Sequence, residues 1–248
     1  MAALEQQLFA SGLPVAALME KAALAVAGAI KSDWAERLQR HGAVVLVGPG
    51  HNGGDGLVIA RELHLAGISV AIWSPFERHK PLTAEHLRHA SWLGIKQLGT
   101  PPNPAAAALW IDALFGIGQQ RPLEAGLAEL LHQRQVLQRD ALVAIDVPSG
   151  LDDTLGQMLG TGGANAVRTY CIGLRKQGLL ADTALAAVGQ LQRIELGLPP
   201  SLLETLPSDT PLCLNASDAV MAPWPQLDPA AAKYARGRLL VIAGSEAY

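Results

Sequence analysis

Three aspartates carry the chemistry this chain is equipped for: Asp55 in HNGGDGL, Asp112 in WIDALFGIG and Asp146 in AIDVPSG. Each follows a short apolar run and precedes small or turn-forming residues. A carboxylate fixed where such a run stops can hold a cation, receive a substrate hydroxyl or move a proton. Asn52 lies one turn before Asp55, and Ser149 lies one turn after Asp146. Carboxylate, amide and hydroxyl oxygens together suit a hard cation. No cluster of His and Cys points to a transition metal; His86 and His89 lack a third ligand and read as surface residues. Taken singly, Asp55 reads as the N-cap of the next helix, Asn52 as a residue tolerated in left-handed turn geometry, and His51 as a solvent-facing loop residue. Three acids on one edge of one sheet read as a site.

That edge exists only if the apolar runs are parallel neighbours. Val44 to Val47 reads as a buried strand, followed by Gly48, Gly50, Gly53, Gly54 and Gly56. So many permissive residues predict a backbone that bends sharply and admits a close approach. A helix is expected from Gly56, with Val58, Ile59, Leu63 and Ala66 inward and Gly67 ending it. Before this unit, Leu13 to Ile30 reads as a helix with Leu18, Ala22, Val26 and Ile30 on one face. After it come strands at 68–73, 109–112, 141–146, 169–174 and 190–196. Helices are expected at 83–93 and from Leu123 to about Gln138, the latter burying Leu123, Leu127, Leu130, Leu131 and Leu137. Strands alternating with helices imply right-handed βαβ units. The fold class is α/β, a Rossmann-like three-layer fold with a mostly parallel central sheet. Ligands of such sheets sit outside the carboxyl ends of the strands.

Beyond residue 198 the composition changes. Seven prolines between Pro199 and Pro229 break up a linker-like stretch, and RGRLLVIAGSEAY then supplies an apolar strand, Leu239 to Ala243. The strand lacks the sheet that should pair it, so a truncated second domain is expected.

The formal net charge of −3 gives no reason to expect nucleic acid or an anionic membrane. Half the residues are apolar and 17% charged, enough for a packed core. The N-terminus lacks a secretion-signal pattern, no apolar run is long enough for a membrane span, and Cys171 and Cys213 match no disulfide or metal framework. The expectation is a cytoplasmic protein. Gly48, Gly50 and Gly53 form a literal G-x-G-x-x-G, a weak dinucleotide signal. The acid that the ordinary NAD mode needs at the end of the second strand is missing, since that strand ends Trp73-Ser74-Pro75. The same gap disfavours a methyltransferase that binds S-adenosylmethionine. No Lys-Ser or Lys-Thr follows the glycines, which excludes a P-loop.

The stretches GPGHNGGDGLVIAR, DALFGIG…RPL and IDVPSGLD, in this order and spacing, resemble the NAD(P)H-hydrate epimerase family (the YjeF N-terminal domain). GQLQRIELGLP resembles the end of that domain. The tail AAKYARGRLLVIAGS looks like the opening of the ribokinase-like domain of ADP-dependent NAD(P)H-hydrate dehydratase. The resemblance implies an epimerase domain at 1–200, a Pro-rich linker at 201–232 and the first strand of a dehydratase domain at 233–248. It implies an isomerase that interconverts the R and S hydrates of NADH and NADPH at carbon 6 of the nicotinamide ring, a metabolite-repair reaction. The parent would be bifunctional, also a lyase, with no dehydratase activity in these 248 residues.

It further implies a potassium ion held by Asn52, Asp112 and Ser149, and a homodimer. Substrate contacts are implied at His51, Asn52, Gly53, Gly54 and Asp55, at Gly116, Ile117, Gly118, Gln119, Gln120, Arg121 and Pro122, and at Asp146, the candidate catalytic group. Where the family usually has Asn this chain has His51, and Ala23 stands where the first helix often has Gly. Lys176 lies close to a position where the family often has lysine. Related domains also serve as interaction modules, so a non-catalytic binding domain of the same fold is the alternative.

Overall fold

The structure, a computed structural model, describes residues 1–213 and 216–221 together with Ala230 and Leu240. These divide into two units, Met1–Leu203 and Glu204–Tyr248. Expectations at Leu239 to Ala243, and at most of 214–248, lie outside the described residues. Of the second unit the structure gives one helical element, Ala216–Met221.

The first unit is built on seven strands: β1 (Ala43–Val47), β2 (Val70–Trp73), β3 (Lys96–Gln97), β4 (Leu109–Ala113), β5 (Leu142–Ile145), β6 (Arg168–Ile172) and β7 (Gln190–Ile194). Their order is β3-β2-β1-β4-β5-β6-β7, and every pair is parallel. The expected three-layer α/β fold is therefore present, with a wholly parallel sheet. β1 shows why both faces are covered: Val45 and Val47 join one apolar cluster, while Val44 and Leu46 join another. The first cluster takes in α2 (Val15–Asp33) and α4 (His51–Leu65); the second takes in α6 (Ala125–Leu137). At the two margins the sheet is blunted by a two-residue exposed strand, β3, and by the polar β7, which discourages further pairing.

Four helices of this unit not expected from the apolar pattern are, among the described residues, α1 (Ala2–Ala10), α3 (Ala35–His41), α7 (Leu185–Val188) and α8 (Pro200–Leu203). The helix expected at 83–93 is α5 (Pro81–Trp92), with Pro at its first position.

The main correction concerns α4. It begins at His51, not Gly56, with Gly50 as its N-cap. None of the five glycines from Gly48 to Gly56 has a positive φ; the expected bend is confined to Pro49 and Gly50, and the chain then enters the helix directly. Asp55 and Asn52 are thus helical, and neither the N-cap nor the left-handed-turn reading holds. Ala66, expected inward, is the exposed C-cap; Gly67 follows with φ +80°.

In α6 the inward place expected for Leu137 goes instead to Arg134, because Leu137 is 52% exposed and Arg134 only 1%. Its guanidinium donates to the carbonyls of Pro104 (3.0 Å), Ala106 (2.5 Å), Ala108 (2.5 Å) and Ala141 (2.9 Å), and lies 4.6 Å from the centre of the Trp110 ring. These carbonyls lead into β4 and β5, the strands that present Asp112 and Asp146. Burial, and secondarily Arg37, lowers its pKa to about 10, so it remains a cation at neutral pH. Arg134→Met leaves the carbonyls of Pro104, Ala106 and Ala108 without this donor, while that of Ala141 keeps the Trp110 N–H (2.8 Å), and we expect a loss of about 3 kcal/mol or more. A urea midpoint within the error of the parent's would show that the guanidinium does not staple these strands.

Candidate active site

The chain runs outward from β1 through β2 to β3, then returns to place β4 on the other side of β1. At this reversal the loops after β1 and β4 leave in opposite directions and open a crevice at the carboxyl ends, where ligands of such sheets bind. Registry puts Leu46 opposite Asp112 and Asp112 opposite Ala144. The loops following β1, β4 and β5 therefore start from one edge.

The glycines bring that edge together by close packing. A Cβ at Gly48 would lie 1.6 Å from the carbonyl oxygen of Leu114, and one at Gly53 would lie 2.0 Å from that of Gly48. One at Gly56 would stand 2.5 Å from the Cβ of Ala113. The start of α4 thus rests directly on the ends of β1 and β4, with no room for side chains. Two further bonds fix it: Thr83 Oγ1 donates to the Gly50 carbonyl (2.8 Å) and the Lys80 N–H to that of Pro49 (2.8 Å).

The crevice is a cavity of about 420 Å³ whose polar lining includes Glu5, Asn52, Asp55, Lys80, Gln119 and Asp146. Of the other residues expected to contact substrate, His51, Gly116, Ile117 and Gly118 also line it. Gly53 and Gly54 do not; they are buried against Gly48 and Met19. Gln120, Arg121 and Pro122 are exposed and lie off the lining. Gln119 ties the second and third loops: its Nε2 donates to the carbonyls of Gly116 (3.1 Å) and Pro148 (3.3 Å), and its Oε1 accepts from the Gly150 N–H (2.6 Å).

Asp146 is the one non-glycine residue with positive φ (+65°) among the described residues. Such geometry is uncommon away from Gly, Asn and Asp, and accumulates at functional sites. Its Oδ1 accepts from the Ile172 N–H (3.1 Å) and from the Lys176 ammonium, forming an ion pair. Lys176 is 6% exposed and also donates to the Ile172 carbonyl (2.7 Å). Burial alone would lower its pKa, but Asp146 and then Cys171 outweigh that and raise it. Oδ2 of Asp146 faces Gly116, where a Cβ would come to 3.5 Å.

Asp55 has no hydrogen-bond donor against it among the described residues. Desolvation, then the charges of Asp146 and Glu5, push its pKa well above the usual carboxylate value. Glu5 of α1 is shifted upward for similar reasons: desolvation first, then Asp146. One cavity therefore holds a carboxylate with a built-in counter-charge and a carboxyl that favours its proton. Divergent environments of this kind separate acid from base.

Asp112 and Ser149 stand behind this wall, both 0% exposed. Asp112 Oδ1 accepts from Ser149 Oγ (2.7 Å) and the Leu114 N–H (3.2 Å), and Oδ2 accepts from the Ser149 N–H (2.8 Å). Ser149 Oγ accepts in turn from the Phe115 N–H (3.1 Å). Burial raises the Asp112 pKa to about 6 against the lowering effect of these bonds. Asn52 packs beside Gly116, and its buried Nδ2 has no acceptor. His51 is exposed at the cavity rim, its pKa lowered by desolvation and then by Lys80. His86, expected at the surface, is half-buried with its Nε2 unpartnered.

Sequence reasoning gave no role to Glu5, Lys80 or Lys176. Lys176 had a signal, four residues past the end of β6 where a side chain can reach back over the strand. Glu5 had none, because α1 carries no motif.

The family described as YjeF-related protein N-terminus matches residues 15–178. The chain is 43% identical, over 99% of its length, to the bifunctional NAD(P)H-hydrate repair enzyme Nnr of Gloeobacter violaceus, and it spans 49% of that protein. It thus spans about half the length of the bifunctional relatives it matches. It is 37% identical to the NAD(P)H-hydrate epimerase of Limosilactobacillus fermentum, over 73% of this chain and 85% of that protein. In fold it is similar to the crystal structure of yeast YNL200c, with a TM-score of 0.64 and 23% identity over 77% of this chain and 84% of that one. On the family match and on the extent of the epimerase it covers, the chain belongs to the family of YjeF-related protein N-termini.

Proposed function

We propose that this chain is an isomerase that interconverts the R and S hydrates of NADH and NADPH at carbon 6 of the nicotinamide ring. The names of its relatives support the substrate. The observation that carries the chemistry is the pair of carboxyl groups in one cavity, Asp146 ion-paired to Lys176 and Asp55 without a donor and inclined to keep its proton. Inversion at carbon 6 requires departure and return of hydroxide, or ring opening and reclosure. Both routes need a group that delivers a proton to the oxygen and one that removes it. Asp55 suits the first task and Asp146 the second. Incubating the protein with pure R-hydrate and following the S form tests this. Conversion no faster than the spontaneous rate would sink it.

A potassium ion belongs to the same proposal. Asp112 is a buried carboxylate with no cationic side chain bonded to it, Ser149 Oγ retains acceptor capacity, and Asn52 makes no side-chain hydrogen bond among the described residues. This oxygen set fits a hard cation. Bound there, the ion would supply a fixed positive charge that draws the loops after β1 and β4 together. A ligand at a hundredfold over Kd stabilises by about 2.7 kcal/mol. Potassium chloride, compared with choline chloride, should therefore raise the melting temperature of the parent by several degrees. Asn52→Ala and Asp112→Asn should abolish that difference. Variants that respond as the parent does would place the ion elsewhere.

The homodimer implied by the resemblance forms part of this reading, and a solution mass of 26.0 kDa would remove it. No helix among the described residues is long and apolar enough to cross a membrane. A cytoplasmic setting suits a dinucleotide substrate and the free thiol of Cys171.

A further inference from the structure

The cavity is electrically lopsided. Glu5, Asp55 and Asp146 line it, and the ammonium of Lys176 is already committed to Asp146. A neutral ring can lie among these acids. A pyrophosphate finds no free cation there, since the ammonium at this end is already engaged by Asp146, and phosphate oxygens are held best by charged donors. The anionic part of a dinucleotide must therefore leave the acid end.

At the rim the lining carries a different charge. Lys80 is exposed, and no carboxylate pairs with it among the described residues. Its backbone is held: the N–H bonds the Pro49 carbonyl at 2.8 Å, and the chain turns there into α5, whose buried Thr83 hooks the Gly50 carbonyl. Lys80 is close enough to His51 to disfavour that ring's protonation. Beside it Gly50 is open, since a Cβ there would meet nothing within 4 Å. A cation thus rises from a fixed backbone at the rim, next to an uncrowded glycine.

We propose that Lys80 is the phosphate contact of this cavity, holding the pyrophosphate of a nicotinamide dinucleotide at the rim while the hydrated ring lies among the acids. The inference rests on the proposed substrate. Lys80 lies outside every motif that pointed to the site, in a loop after β2 where dinucleotide folds of this layout more often place an acid against the ribose. Here the corresponding loop runs Glu77-Arg78-His79-Lys80.

The test is calorimetric binding of ADP-ribose, which has the pyrophosphate and no nicotinamide, and of nicotinamide riboside, which has the ring and no phosphate. Lys80→Gln should weaken ADP-ribose by about 10-fold or more, the cost of a lost charge-assisted bond, and leave nicotinamide riboside within about twofold. Lys80→Arg should restore most of the loss. In the epimerisation assay Lys80→Gln should raise KM with little change in kcat, because the contact is made equally in ground and transition states. Equal ADP-ribose affinity in parent and variant, or no binding by the parent, would overturn the assignment. Lys80-dependent ADP-ribose binding without epimerisation would leave it standing and remove the proposed reaction instead.

Discussion

Replacing Asp146 by Asn should lower the epimerisation rate by about 10²–10⁴-fold while leaving the fold intact. The range is what a positioned acid–base group typically supplies, roughly 3–5.5 kcal/mol of barrier. The substitution is isosteric, and Asn tolerates the left-handed φ of +65° that almost any other residue would resist. Its amide oxygen can still accept from the Ile172 N–H and the Lys176 ammonium. Proton acceptance is removed, and with it the counter-charge of the buried Lys176 ammonium, so the rate is compared at a temperature where thermal melting shows the variant still folded. A variant that retains more than about a third of the parent rate would take Asp146 out of this role. The pH profile gives an independent reading of its partner. The fold raises the Asp55 pKa well above 3.8, so the protonated form persists to higher pH than in the unfolded chain. If that form is the acid, the rate should fall as pH climbs through the raised value. Asp55→Asn should lower the rate throughout and flatten that limb.

The fold was legible because its strands are unusually plain. Runs such as VVLV and LVAI are buried on both faces, so they show no alternation and read directly as parallel-sheet strands. α2 was legible for the opposite reason, since Leu18, Ala22, Val26 and Ile30 recur at helical spacing and all four are buried. What failed was local. The glycines between Gly48 and Gly56 looked like turn residues because glycine is best known for conformational freedom. In the structure three of them serve the other property of glycine, its lack of a Cβ: at Gly48, Gly53 and Gly56 a Cβ would lie 1.6–2.5 Å from a neighbouring atom, whereas Gly50 is open. Both uses leave the same letter in the sequence, and only the packing distinguishes them. Arg134 in place of Leu137 failed for a related reason: periodicity ranks residues by hydrophobicity, and a guanidinium that satisfies four carbonyls is buried by its hydrogen bonds instead. Asp55, Asp112 and Asp146 could be found because strand ends are readable and parallel topology brings them to one edge. Lys176 and Lys80 could not be assigned, because their roles depend on where loops after β6 and β2 return.

Lys176→Met should produce the second large effect, with a signature that separates it from simple unfolding. The ammonium contacts the Asp146 carboxylate and the Ile172 carbonyl from a site that is 6% exposed. Met fills much the same volume, and the Cys171 sulfur that the ammonium touches at 3.6 Å belongs to an apolar cluster, so little packing is lost. The carboxylate loses its counter-charge and keeps one backbone N–H, from Ile172, as its donor. Breaking a buried pair by removing one partner costs about 3–5 kcal/mol when the other charge stays. At neutral pH the variant should therefore lose most of its activity, on the order of the loss in Asp146→Asn. Lys176→Arg keeps a cation within reach of the carboxylate and should recover part of the rate, which a loss of packing alone would not allow. A Lys176→Met enzyme as fast as the parent, or a Lys176→Arg enzyme no faster than Lys176→Met, would make Lys176 a packing residue alone.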